Sequence, residues 1–134
     1  MNAFPRQGRY ARPEMLLSGD QLQRRLSDRS LRVVDLRSAD AYAKGHVPGA
    51  LALDEARLRN GSDTETYLPE PAAFEALLRE LGIDRRTTVV GYDDAGGRSA
   101  TRLWYCLAVY GHDRLALLDG GWKRWEAERR PVAT

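Results

Sequence analysis

A single cysteine, Cys106, and two histidines are all the soft ligands this chain has. One thiol cannot close an intrachain disulfide, and donors this few and scattered exclude a cysteine-based metal cluster and argue against any transition-metal site. Long hydrophobic runs are also missing. No segment approaches the ~20 apolar residues that span a bilayer, and the opening MNAFPRQGRYARPE has no apolar core of a signal peptide. A soluble, cytoplasmic protein with no membrane contact is therefore expected. Net charge is nearly absent as well: 21 Lys+Arg oppose 19 Asp+Glu, and the basic residues form no stripe of the kind that binds nucleic acid. Internal repeats and low-complexity tracts are lacking too, and nothing in the composition calls for a cofactor.

What is present is one domain's worth of chain. At 134 residues and 43% hydrophobic content, a core can form without disulfide or metal. Arg6, Arg9 and Arg12 mark residues 1–14 as a flexible basic arm, leaving 15–134 as a single domain. Cys106 lies in the apolar run LWYCLAVY, where a free thiol is expected to act as a small buried hydrophobe rather than a nucleophile.

Short apolar and β-branched runs alternate with helical patterns. Strands are expected at residues 15–17, 31–36, 50–53, 87–92 and 115–118. Ser18 caps a helix carrying Leu22 and Leu26, and Ser38 caps a brief helix that Gly45 stops. Pro71 opens a helix with a stripe of Phe74, Leu77, Leu78 and Leu81, closed by Gly82. Helices are expected again at 98–110, with Leu103, Leu107 and Tyr110 on one face, and at 122–128. The polar stretch 54–71 reads as a surface excursion and the place where mobility is expected. This alternation predicts an α/β fold: a parallel central sheet of about five strands with helices on both faces.

In such sheets ligands bind beyond the carboxyl ends of strands, at helix N-termini. The segment Asp93-Asp94-Ala95-Gly96-Gly97-Arg98-Ser99 is such a place. Its glycines allow inward-pointing N–H groups, the following helix adds its dipole and Arg98 a full charge, so a small anion is the expected occupant. A plain strand-to-helix turn rich in Gly and Asp is the alternative. Asp93 and Asp94 together raise a third reading, an Asp-based, Mg²⁺-dependent phosphatase, although the neighbouring Arg98 disfavours a cation. Asp35 and Arg37 fit either a structural ion pair or a ligand contact. His46 is expected to pack within its own turn, and Trp104, Trp122 and Trp125 to serve as core or interface anchors.

From Leu31 to Pro131 the chain resembles the rhodanese, or thiosulfate sulfurtransferase, domain. The residues that carry the likeness are Val34-Asp35-Leu36-Arg37, Gly45-His46-Val47-Pro48-Gly49-Ala50, the loop after Tyr92, and Leu118-Asp119-Gly120-Gly121-Trp122. Leu68-Pro69-Glu70-Pro71, Tyr92-Asp-Asp-Ala-Gly-Gly and Tyr110-Gly-His-Asp-Arg are more particularly similar to the first domain of two-domain thiosulfate and mercaptopyruvate sulfurtransferases. The resemblance implies sulfur transfer through a persulfide on the first residue of a Cys-x-x-Gly-x-Arg-Ser loop. Here that position is Asp93, and a carboxylate cannot become a persulfide. The implied role is thus a non-catalytic, structural or regulatory half of the enzyme, partnered by a second rhodanese domain. The Arg98-Ser99 pair keeps open a free-standing module that senses a sulfur-containing anion or docks a partner. A first domain without its partner would be expected to dimerise through an apolar patch edged by a tryptophan.

Overall fold

The computed structural model describes residues 15–59 and 68–134. The expected basic arm at 1–14 lies outside the described residues, as does the part 60–67 of the segment where mobility was expected.

Five strands form one parallel sheet: β1 (Leu16–Leu17), β2 (Leu31–Asp35), β3 (Leu51–Ala52), β4 (Thr88–Tyr92) and β5 (Leu115–Leu118), in the order β1-β5-β4-β2-β3. The connecting helices are α1 (Gly19–Arg24), α2 (Ala39–Lys44), α3 (Pro71–Glu80), α4 (Arg98–Val109) and α5 (Gly121–Ala127). Ser18 forms a full capping box with Gln21, and the Ser38 hydroxyl accepts from the Ala41 amide, so both short helices start where their caps dictate. Leu26 falls just beyond α1 in the following turn yet still packs on the core.

Alternation along β4 feeds two cores. Val89 joins Phe74, Leu77, Leu103 and Leu107 beneath α3 and α4. Val90 and Tyr92 join Leu22, Val47, Trp122 and Trp125 beneath α1 and α5. Gly91 completes the pattern by lacking a side chain: a Cβ there would already stand 3.4 Å from Leu103 and 3.7 Å from Ala100, so the glycine lets α4 sit close against the strand.

Two expectations need correction. Within the surface excursion, Glu55–Leu58 forms a 3-10 helix capped by Asp54, and Leu58 is fully buried. Leu58 ties this connection to the core, where the 3-10 helix packs on α4, and Leu68 packs against the same core. The tryptophans do not edge an exposed patch. All three are buried, with Trp104 on the core face of α4 and the Trp125 indole N–H donating to the Pro131 carbonyl at 2.7 Å. Among the described residues the exposed large apolar side chains are instead Tyr105, Val109, Tyr110 and Val132.

Cys106 is fully buried, its thiol 3.8 Å from the Leu58 carbonyl oxygen. Burial pushes the thiol up from its ordinary range, only partly opposed by the charges of Arg102 and Arg59. No described helix is long and apolar enough to cross a membrane.

Candidate functional site

The carboxyl ends of β1, β4 and β5 open onto a recess of about 370 Å³ whose lining includes Asp93, Asp94, Gly96, Gly97, Thr101, Asp119, Gly120 and Gly121. The loop between β4 and α4 turns through Gly96 and Gly97, whose φ angles of 78° and 92° lie in the left-handed region glycine adopts without strain. This winding points successive amides at one place. The occupant of that place is the chain's own Asp93 carboxylate. One oxygen accepts from the amides of Ala95 at 2.9 Å and Gly97 at 2.8 Å, and the other from Ala100 at 2.8 Å.

The expected small-anion cradle is thus filled from within. Asp93 is 3% exposed and spends both oxygens on backbone donors, each bond charge-assisted and at a helix N-terminus. The carboxylate is thus buried and held by backbone donors, and among the described residues no three His, Cys, Asp or Glu side chains are grouped to hold a metal ion. Arg98 does not contribute to the cradle either. It is exposed, makes no hydrogen bond or ion pair among the described residues, and lines a different recess beside Arg59 and Arg102. Ser99 is half-buried and Asp94 exposed.

The post-β5 turn closes on this loop. The Trp122 amide donates to the Asp93 carbonyl at 2.9 Å, and a Cβ on Gly121 would lie 2.6 Å from that same oxygen. Gly121 also has φ of 61°. Gly121→Ala is therefore expected to cost roughly 2–4 kcal/mol through left-handed strain and overlap with backbone that cannot yield. Urea denaturation would check this, and a cost below about 0.5 kcal/mol would mean that the two loops do not interlock as described.

A second cluster lies directly beneath. Asp35 and Arg37 form a buried ion pair, with Arg37 Nη2 2.8 Å from Asp35 Oδ2 and 2.6 Å from the Gly45 carbonyl. The guanidinium lies over the Trp122 ring at 4.1 Å. Burial opposes the Arg37 charge, but the hydrogen bonds and charge of Asp35 outweigh it and raise its pKa. Tyr92 is the member that sequence reading missed. Its hydroxyl donates to Asp35 Oδ2 at 2.6 Å and accepts from the Val47 amide at 3.1 Å, joining β2, β4 and the Gly45–Ala50 turn. Burial, then the bond to Asp35, drives the phenol well above its ordinary range. The available signal was a tyrosine at the end of a buried strand, because a buried hydroxyl must find partners.

His46 stacks on Tyr42 with ring centroids 3.8 Å apart, and its Nδ1 lies 2.8 Å from the Tyr42 carbonyl oxygen. Its backbone exchanges two hydrogen bonds with Ala133, which straps the end of the described chain across the turn. Pro48 is half-buried and Gly49 turns outward with φ of 82°. Asp119 faces the recess and pairs with Arg124 at 3.4 Å.

The site is thus that of a parallel α/β domain whose post-β4 loop holds a carboxylate in backbone amides. Comparison with known proteins defines the class further. Residues 18–128 match the rhodanese-like domain family, and the chain belongs to that family. It is 39% identical over 125 residues to a thiosulfate sulfurtransferase from Azotobacter vinelandii, covering 92% of this chain and 46% of the relative. It is 40% identical over 119 residues to a thiosulfate sulfurtransferase from Pseudomonas aeruginosa, covering 88% and 44% respectively. The chain thus spans about half the length of the curated relatives it matches. Among solved structures it superposes on the 3-mercaptopyruvate sulfotransferase SseA from Escherichia coli with a TM-score of 0.80 and 27% identity, over 89% of this chain and 50% of that one.

Proposed function

We propose that this chain is a non-catalytic rhodanese domain that works as the first half of a thiosulfate sulfurtransferase, with the persulfide-forming cysteine supplied by a second domain. The observation that carries the reading is the Asp93 carboxylate, bound by the amides of Ala95, Gly97 and Ala100 at the position where an active loop would hold its sulfur anion. The match to about half of each two-domain relative supports the partner. A cytoplasmic setting and self-association when the partner is missing belong to the same proposal, with Tyr105, Val109 and Val132 as the exposed apolar residues available for contact. A free-standing anion-sensing module is disfavoured at the loop itself, because Asp93 holds the donors that a ligand would need.

The test is thiocyanate formation from thiosulfate and cyanide by the purified chain. Background rates are expected for the native chain, and Cys106→Ser should leave them there. Turnover above background, whether or not it survives Cys106→Ser, would overturn the reading.

A further inference from the structure

Beyond α5 the chain bends back across the molecule. Arg129 has φ of 58° and, glycines aside, is the one described residue in the left-handed region, a conformation costly for any side chain with a Cβ. The residues after it are held by separate contacts. The Arg130 guanidinium is clamped by Glu128 at 2.7 Å and Gln23 at 2.9 Å, and it lies 5.9 Å from the centre of the Trp125 ring. The Pro131 carbonyl accepts from the Trp125 indole, Val132 lies against Gly45, and Ala133 exchanges two backbone hydrogen bonds of 2.9 Å with His46. Residues 129–133 thus form a strap, strained at one end and fastened by a few contacts along the rest.

The turn beneath the strap is gripped from both sides. From outside, Ala133 holds the amide and the carbonyl of His46. From inside, Arg37 holds the Gly45 carbonyl at 2.6 Å, and the Tyr92 hydroxyl accepts from the Val47 amide at 3.1 Å. Tyr92 immediately precedes Asp93, and Trp122, whose ring faces the Arg37 guanidinium, donates its amide to the Asp93 carbonyl. Direct contacts therefore run from Ala133 through the turn and the buried ion pair to the Asp93 loop. The element in that series with two states is the strap, fastened or released.

We propose that the strap is a conformational latch for the Asp93 loop. Fastened, it presses the turn onto Arg37 and Tyr92 and keeps the amides of Ala95, Gly97 and Ala100 closed on the carboxylate; released, it lets turn and loop open together. A partner that draws residues 130–133 away loosens the loop, and by reciprocity a loop held rigid favours the fastened strap. The inference stands on these contacts and does not depend on whether the chain takes part in sulfur transfer.

The experiment is native-state hydrogen exchange of the full chain, read amide by amide by NMR. Ala133→Pro removes the donor to the His46 carbonyl, and Arg130→Ala removes the clamp while leaving the backbone of the bridge untouched; both positions lie outside the helices and strands. In each variant exchange at His46 and Val47 is expected to quicken by about fivefold, as for loss of one hydrogen bond, and at Ala95, Gly97 and Ala100 by about threefold. The amides of α3, which packs in the other core, should keep their native rates and so report that global stability is unchanged. Acceleration confined to His46 and Val47 would overturn the latch. Equal acceleration of the loop and α3, or native rates at His46 in both variants, would do the same.

Discussion

Asp93→Cys is expected to convert the loop into a persulfide carrier. The amides of Ala95, Gly97 and Ala100 that now bind the carboxylate would face a thiolate instead, at a helix N-terminus. Such settings lower a cysteine from ~8.5 to roughly 4–7. The thiolate would attack the sulfane sulfur of thiosulfate, the S–S bond would break, and sulfite would leave with the bonding electron pair. The resulting outer sulfur is separated from Cβ by as many bonds as the present Asp93 oxygens are, so it would reach the same donors. Mass spectrometry should show the gain of one sulfur atom after thiosulfate and its loss to cyanide as thiocyanate. Alkylation against pH gives the thiol pKa, and Cys106, buried and pushed up, should remain silent in the same experiment. A thiol titrating at or above ~8.5 would mean that the amides are oriented by the carboxylate rather than by the loop.

The largest loss of stability is expected from Asp35→Asn. Removing the carboxylate charge leaves the Arg37 guanidinium buried, with a 3% exposed side chain, the Gly45 carbonyl and the Trp122 face as its remaining partners. It also weakens the bond that orients the Tyr92 hydroxyl. Breaking one side of a buried ion pair costs about 3–5 kcal/mol, a large share of the 5–15 kcal/mol that a domain possesses. Urea denaturation followed by tryptophan fluorescence would measure it, since Trp122 lies against the guanidinium. Should Asp35→Asn fail to fold, Tyr92→Phe provides a milder measure at roughly 1–3 kcal/mol, because it removes one acceptor from the Val47 amide and one donor to Asp35. Costs below about 1 kcal/mol for Asp35→Asn would show that water reaches this cluster and that it does not tie the turn to the sheet.

By itself the sequence determined whatever depends on neighbours along the chain. Period-two and helical spacing specified five strands and five helices, Ser18 and Ser38 specified two helix starts, and Gly82 the end of α3, because caps and left-handed glycines act through residues three or four positions away. That Asp93 stands where the resemblance expects a cysteine was legible for the same reason, as one residue out of place in a local pattern. Tertiary structure decided the rest. Leu58 became a core residue only where α4 met the 3-10 helix, and Tyr92 acquired its role from partners 57 and 45 positions away. The residue type of Arg98 was plain, but its place was not: it lines the recess of Arg59 and Arg102 and is not among the residues lining the loop recess. Whether the amides of the loop stood open or occupied was likewise a tertiary matter. A carboxylate one residue beyond a strand can point to solvent or fold back, and here it folds back onto the amides of Ala95, Gly97 and Ala100 where α4 lies close against Gly91.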